Sequence, residues 1–568
     1  MPKSNKKDQV IEALQMLARV GRVRRENRFK IRAFENAVQS IESFPDDFLK
    51  LYSSGNIKKM PGIGKGIYNI IEAVVCGKTL EEFFPDFPID IIELAENFGL
   101  KRAEKLKKVG ITTLDQLKNA AQEGQLELIE GFGKITQEKL KAGFVKPPYK
   151  PRIFGQVRLD QALIEAHKII KGLLKNNIIH DATLVGNLRR GLEIIDAIDI
   201  LIISNVSLSE LEELLKIMGI VQISRLRKTF SGVTGKTQLG IVLNVYRATK
   251  KNKGMAQILL TGSEDFIQKL LRHNKTSIKD LKTLDAENEE LAFKKLDLAN
   301  IAPERREKSV ILKSNKRSYP RLIELKDLQG IFHNHTYASD GKNSVLEMQR
   351  AASQKGLRYI SINDHSQSAF YAGGQSKEAL LNQLELIKQL NQCELAKSCH
   401  ILSGVESDIR LNGSLDYEAR VLRKLEIIVA SVHSQLKMPF ADMTQRMLKA
   451  ALNPFTTIMG HPTGRLLFKR SESVFDMEIL IDACKKNHVA LELNCQPARL
   501  DLNERYLSMA KEQGVLIAID ADAHSTHELN FLEYGIIIAR RSGLTADDVL
   551  NTFSLEDLRL WLKLRSSQ

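Results

Sequence analysis

From about residue 327 to the end, short apolar or β-branched runs are each followed by an island of histidine, aspartate or glutamate. The islands are His333-Asn334-His335-Thr336 with Asp340-Gly341, Asp364-His365-Ser366, Glu406, Ser431-Val432-His433-Ser434, Gly460-His461-Pro462 and Asp522-Ala523-His524-Ser525. Strand-like runs at 359–362, 427–432, 489–493 and 515–519 alternate with helical patterns. Repeated βα units with polar residues at their strand ends predict a TIM-like α/β barrel. Successive side chains on a strand point to opposite faces, so His333 and His335 share one face, and so do Asp522 and His524. The pattern therefore gathers His333, His335, Asp340, His365, Glu406, His433, His461, Asp522 and His524 into one pocket. Six imidazoles and three carboxylates suit two or three borderline divalent cations, Mn²⁺, Zn²⁺ or Fe²⁺, better than Mg²⁺ or Ca²⁺. Clustered cations lower the pKa of a bound water and neutralise a phosphodiester, which points to metal-dependent hydrolysis with these nine residues as its catalytic set. A lone histidine is more often a core or surface residue; nine groups at successive strand ends call for a common ligand. Arg465 and Arg499 follow two of the strand ends and are candidates to clamp a scissile phosphate. His167, His180, His273, His400, His488 and His527 fall outside the pattern.

A chain of 568 residues exceeds what one hydrophobic core organises. No apolar run approaches the roughly 18–20 residues that span a bilayer, and the polar opening MPKSNKKDQV runs into a helical pattern with no signal peptide. The five cysteines show no CxxC spacing and read as reduced thiols of a cytoplasmic protein with no membrane partner. Charge is unevenly shared. Residues 1–325 hold 56 Lys+Arg against 40 Asp+Glu, whereas residues 326–568 hold 28 against 29. The whole positive excess lies in the first part, as a phosphate-backbone partner requires.

That first part reads as short helices over 8–90, with Val10, Leu14, Leu17 and Ala18 at helical spacing, and again over 91–145. Two glycine turns interrupt it, Met60-Pro61-Gly62-Ile63-Gly64-Lys65-Gly66 and Glu130-Gly131-Phe132-Gly133-Lys134. A Gly-hydrophobic-Gly turn between helices leaves backbone N–H groups free to face one phosphate, at the next helix N-terminus. Gly62, Gly64, Lys65, Gly131, Gly133 and Lys134 are thus candidate DNA contacts that grip backbone without reading sequence. A third turn, Asn97-Phe98-Gly99-Leu100, lacks the first glycine. Residues 151–260 alternate helical and β-rich patterns, including 182–185, 198–203 and 241–246, as in an α+β unit. Residues 264–300 are charged and mostly helical, and the charged, Pro-flanked stretch 302–322 reads as a linker.

The run Phe29-Lys30-Ile31-Arg32-Ala33-Phe34, the two glycine turns, Gly186-Asn187-Leu188-Arg189-Arg190-Gly191, Thr261-Gly262-Ser263 and the C-terminal islands together resemble a bacterial family X DNA polymerase carrying a C-terminal polymerase-and-histidinol-phosphatase (PHP) domain. The resemblance covers essentially the whole chain. It implies a multidomain protein: an N-terminal helical DNA-binding domain (1–88), helix-hairpin-helix fingers (89–148), an α+β nucleotidyltransferase-like palm (149–260), a thumb (261–318) and a PHP metal-dependent hydrolase barrel (319–568). It also implies a 3′–5′ exonuclease that processes gapped, nicked or 3′-ended DNA in repair, with abasic-site cleavage in some members. A monomer is expected.

The palm departs from the family pattern. That pattern is Gly-Ser-x-Arg-Arg, then Asp-x-Asp on a strand, then a third Asp on a neighbouring strand, the three carboxylates holding two Mg²⁺ for nucleotidyl transfer. Aligned on Gly186, the serine position is Asn187, Asp-x-Asp falls on Ala197 and Asp199, and the third Asp falls on Asn244. Asp199 alone keeps its carboxylate, Asp196 belongs to the opposite strand face, and Arg190 is retained as a candidate phosphate contact. Templated nucleotide addition is therefore expected to be lost or weak, with Mg²⁺ a cofactor only if the palm is active. The helix after the first turn, Ile67-Tyr68-Asn69-Ile70-Ile71-Glu72, carries no lysine for the family's deoxyribose-phosphate lyase chemistry. The competing readings are a gap-filling polymerase with non-standard ligands, a small phosphate monoester phosphatase, and a DNA-binding scaffold without turnover.

Overall fold

The computed structural model describes residues 6–24, 26–43, 48–53, 55–60, 62–98, 100–129, 132, 155–176, 178–227 and 230–566. They fall into two units, Met1–Lys150 and Pro151–Gln568.

In the first unit the helical spacing read from the sequence becomes one packed face. Helices Lys6–Val23, Arg28–Ser43 and Lys65–Val75 close over Val10, Leu14, Phe34, Ala37, Ile41, Ile67 and Ile71. A second cluster, Ile91, Leu94, Ala103, Leu106, Leu117, Leu126 and Phe132, serves the following helices. One of these, Leu114–Gln122, begins in a reciprocal cap between Thr113 and Gln116. Between the first unit's early helices the chain turns at Gly62, whose φ of +83° suits glycine. Gly64 then caps helix Lys65–Val75. A Cβ built on Gly64 or Gly66 meets nothing within 4 Å, so a backbone phosphate could approach this helix start closely. Gly62, Gly64 and Lys65 are all exposed. Gly131, Gly133, Lys134 and Gly99 lie outside the described residues.

The second unit opens with strands β1 (Val157–Arg158), β2 (Ile179–Val185), β3 (Ile194–Ile195), β4 (Ala197–Ser204), β5 (Val221–Arg227), β6 (Ser231–Lys236) and β7 (Val242–Ala248). Five of them form a mixed sheet in the order β2-β4-β7-β6-β5, with β4 and β7 parallel and the other neighbours antiparallel. The period of two decides its faces. Ile198, Ile200 and Ile202 pack with Leu159, Ala162, Ala166 and Ile169 of helix Leu159–Leu174. Leu201 and Tyr246 pack on the other side with Ala256 of helix Lys253–Thr261.

Helices Glu264–Asn274, Ile278–Lys282 and Glu289–Lys295 follow. The stretch read as a linker is instead packed structure. Arg306 is fully buried, donating to Glu289 at 2.5 Å and to the Ile301 carbonyl at 2.9 Å, and Val310 is buried as well. Glu304 and Glu307 then pair with Arg540 and Arg541 at 2.6 and 2.8 Å. Charges that pair across the fold look the same in a sequence as charges that face water.

Strands β8 (Gly330–Ile331), β9 (Tyr359–Ile362), β10 (His400–Asp408), β11 (Ile427–Ser431), β12 (Ile458–Met459), β13 (Ala490–Asn494) and β14 (Ile517–Asp520) form one parallel sheet in sequence order. Its two edges meet, because Asn334 bridges Ala523 and the His335 N–H donates to the Ala523 carbonyl at 2.9 Å. Lower in the seam Asn551 takes a strand's place. Its amide donates to the carbonyls of Gly330 and Ile519 and accepts from the Ile519 N–H. The result is a nearly closed seven-stranded barrel. Phe332, Leu402, Val429 and Ala518 fill its floor, and Leu558 of the terminal helix Leu555–Ser566 seals it.

Candidate metal centre

The predicted ligands stand at the carboxyl ends of the barrel strands. His333, His335 and Asp340 follow β8, His365 follows β9, Glu406 lies two residues before the end of β10, His433 follows β11, His461 follows β12, and Asp522 and His524 follow β14. Glu406 is the hub. His461 Nε2 lies 3.0 Å and His433 Nε2 3.1 Å from its Oε1, His333 Nε2 3.3 Å from the same oxygen, and His365 Nδ1 2.8 Å from Oε2. Asp522 Oδ1 lies 3.2 Å from His335 Nε2 and 3.6 Å from His333 Nε2. Asp340 reaches in from its loop, 3.2 Å from His524 Nε2 and 3.6 Å from His365 Nε2. Three groups have ligand atoms within 4.8 Å of one another: His335-Asp340-His365-His524, His333-His335-Asp522 and His365-Glu406-His433. The backbone bends to bring them there, since His461 and Asp522 hold φ of +25° and +50°, strained for residues with a Cβ.

The donor set fits divalent cations. Nε2 of His333, both ring nitrogens of His335, Nδ1 of His365, Nδ1 of His461 and Oε2 of Glu406 are buried with no well-aligned hydrogen-bond partner among the described residues, although His365 Nδ1 and Glu406 Oε2 lie 2.8 Å apart. An orphaned buried polar atom costs roughly 1–3 kcal/mol, so this many in one pocket require a ligand for lone pairs. The charges agree. Burial works against ionising Glu406, but His433, His365 and His333 outweigh it and hold the carboxyl well below its usual range. Asp522 is likewise held down, against its burial, chiefly by His333 and His335. Burial, joined by His524 and His365, depresses His335 and leaves it a neutral donor. His461 is depressed too, by burial and Arg499.

Sequence reading missed the groups that orient these ligands. Glu492 on β13 accepts from His333 Nδ1 at 2.6 Å and from the His461 N–H, while Asp408 on β10 receives His433 Nδ1. Asp364 gathers the Thr336 N–H and hydroxyl at 2.7 Å, the Ser339 hydroxyl at 2.5 Å and Gln383 at 2.6 Å, shaping the Asp340 loop. Carboxylates behind ligand histidines fix ring tautomer and direction. Two signals were available: Glu492 sits inside an apolar strand run, and Asp408 shares a strand face with Glu406.

The arginines separate. Arg499 stays at the cluster, its Nε 3.6 Å from Asp522 Oδ2. Arg465 does not serve as a phosphate clamp. Its buried guanidinium pairs with Glu193 at 2.6 Å, and Nε donates to the Arg499 carbonyl at 2.9 Å. Its donors are divided between Glu193 of the palm and the barrel's own Arg499 and Leu500 carbonyls.

In the palm, Asp199 pairs with Asn244 across β4 and β7, as the parallel register requires. Asn244 Nδ2 donates to Asp199 Oδ1 at 2.9 Å, and the Tyr246 hydroxyl does so at 3.3 Å. The Asn244 carbonyl in turn accepts from Thr234 at 2.7 Å. Gly186, at φ +69°, presses against this carboxylate, and a Cβ there would lie 2.2 Å from Asp199 Oδ2. Asp196 is exposed and accepts from Asn187 at 3.1 Å. Arg190 is no free phosphate contact, for it is buried and donates to Glu307, the Thr261 carbonyl and Asn187. No palm residue joins a metal-binding group among the described residues.

Comparisons with known proteins match the chain both in parts and as a whole. A helix-hairpin-helix domain model matches residues 5–80. The chain is 32% identical over 578 residues to the DNA polymerase/3′-5′ exonuclease PolX of Bacillus subtilis (strain 168), covering 98% of this chain and 99% of that protein. Over 231 residues, 39% of this chain, it is 30% identical to a probable phosphatase of Thermoanaerobacter sp. (strain X514), covering 89% of that protein. A probable phosphatase of Vibrio parahaemolyticus is 26% identical over 244 residues, 92% of its length. None of the described helices is long and apolar enough to cross a membrane.

Proposed function

The chain belongs to the family X DNA polymerase/3′–5′ exonucleases with a C-terminal PHP barrel, and from that premise we propose that it is chiefly a metal-dependent DNA phosphodiesterase whose polymerase activity is lost or weak. The carrying observation is the cluster of eight residues in three overlapping ligand groups, with His461 against Glu406, and its orphaned lone pairs. In this reading the enzyme is a cytoplasmic monomer that shortens gapped, nicked or free 3′ ends during repair.

His333, His335, Asp340, His365, Glu406, His433, His461, Asp522 and His524 would hold two or three cations, and Mn²⁺, Zn²⁺ or Fe²⁺ suit this mixture of imidazole and carboxylate. When bound, the cations supply Lewis acidity toward a phosphoryl oxygen and an acidified water at neutral pH. The chain's residues do the rest. Glu492 and Asp408 hold two ligand imidazoles in one tautomer, so nitrogen lone pairs point into the pocket. Arg499 places a fixed cation beside Asp522, where an incoming phosphate would be paired. Gly62, Gly64 and Lys65 grip DNA backbone at the first hairpin, with Gly131, Gly133 and Lys134 in the same role at the second.

A gap-filling polymerase is the second reading, favoured by the relative's name and by Asp199. Against it, the two companion positions are Ala197 and Asn244, and Asp199 is already occupied by Asn244 and Tyr246. The test is a labelled 3′-ended oligonucleotide with purified protein and Mn²⁺, alongside a small phosphate monoester. Stepwise shortening that His333→Ala lacks supports the proposal. Release of phosphate from the monoester alone moves the activity to a phosphatase, and no reaction leaves a DNA-binding scaffold.

A further inference from the structure

The loop after β9 sets two aromatic side chains in water beside the metal centre. Phe370 is 85% exposed and Tyr371 61%, and their rings meet edge to face with centroids 6.0 Å apart. The Tyr371 ring lies 6.4 Å from the His365 ring and 6.3 Å from the His433 ring. This is not a loose tip. The Gln375 N–H donates to the His365 carbonyl at 2.8 Å, and the Ser366 N–H to the Glu406 carbonyl at 3.0 Å. Inside the loop the Gly374 N–H returns to the Ala369 carbonyl at 3.1 Å, and the Ser368 N–H donates to Asp416 at 2.7 Å. The loop is thus clasped at its base by two metal-ligand residues, and its rings stand at a set distance from them.

Two exposed rings held rigidly by backbone bonds have little to gain from folding alone. We propose that Phe370 and Tyr371 form a stacking platform for the nucleobase of the terminal nucleotide whose phosphodiester occupies the metal centre. The inference rests on the exonuclease reading and adds to it the residues that seat the substrate. A nucleobase lies one sugar away from its phosphate, and Tyr371 lies one ring contact away from two ligand histidines. Every base offers a π-face, so the platform would accept all four bases. The edge-to-face pair suits this use, since Phe370 braces Tyr371 while its own exposed face is left for the base or its neighbour.

The alternative is that Tyr371 merely props His365 and His433. A crossed experiment separates the two. The full-length enzyme with Mn²⁺ is given single-stranded oligonucleotides ending at the 3′ side in a normal nucleotide or in a baseless tetrahydrofuran residue. Release of the first unit is measured for wild type, Phe370→Ala, Tyr371→Ala and Tyr371→Phe. The platform predicts that each alanine variant raises KM for the normal end by about tenfold or more, from the worth of a base–aromatic stack, and that Tyr371→Phe restores it. On the baseless end wild type falls to the variants' level, and the variants lose nothing further. Equal losses on both ends, or a loss in kcat alone, assign Tyr371 a propping role and overturn the inference. A wild type that releases both ends equally well overturns it too, with the exonuclease reading intact. A wild type that shortens neither end removes that reading and this inference with it.

Discussion

The palm sheet and the seven-stranded barrel both carry polar side chains on or beside parallel strands, yet their polar atoms are accounted for in opposite ways. In the palm, Asp199 accepts from Asn244 and Tyr246, Asn244 accepts from Thr234, and Arg190 is spent on Glu307 and the Thr261 carbonyl. In the barrel, at least one nitrogen of each of His333, His335, His365 and His461 is buried with no well-aligned hydrogen-bond partner among the described residues. A set of polar groups that satisfies itself needs no ligand. A set that cannot do so stays in the fold only if something else satisfies it.

The most severe way to break this comparison is at the hub. Glu406→Ala removes the carboxylate that approaches five histidines, and both bound metal, measured by elemental analysis, and Mn²⁺-dependent shortening should vanish. The basic N-terminal unit should still shift DNA in a gel. Glu492→Gln is gentler. It keeps the shape behind His333 but not the charge, and a loss of about 10–100-fold in metal affinity or activity is expected. If Glu492→Gln is silent, the orienting role assigned to β13 is wrong.

A third variant sharpens the contrast from the palm side. Ala197→Asp with Asn244→Asp restores three carboxylates on adjacent registers of β4 and β7. Three unpaired negatives should lower Tm in chelator, Mg²⁺ should restore it by binding the folded state, and Mg²⁺-dependent extension should appear while shortening is unchanged. The smallest effect is expected at the first hairpin. Lys65→Ala should weaken DNA binding uniformly across sequences and reduce the salt slope by about one.

Much of the barrel was legible because ligand chemistry leaves a local trace. A histidine two residues from another on a strand end can be read without knowing what lies across the barrel. The helical cores were legible for the same reason, from spacing within one element. What stayed hidden depends on partners far away in the chain. Arg465 follows a ligand turn and looks like a clamp, but its partner Glu193 is 272 residues distant. Arg306 sits in a charged stretch that reads as a linker, and only Glu289 and the Ile301 carbonyl make it a core residue. Glu492 looks like an interruption of an apolar strand until His333 and His461 are set beside it. Strand β10 went unread, although it carries Glu406, because its Ser403-Gly404 centre breaks the apolar run.

The central claim is that the barrel is the working site and the palm is not. It is met most directly by removing the exonuclease, so that weak synthesis cannot be masked. A labelled primer on a template, all four nucleotides and Mn²⁺ or Mg²⁺ are incubated with wild type and with His333→Ala. The account predicts that wild type shortens the primer and that His333→Ala leaves its length unchanged. Robust lengthening by His333→Ala would contradict it, and would show the palm to be active with Asp199 as the one carboxylate left among its three ligand positions.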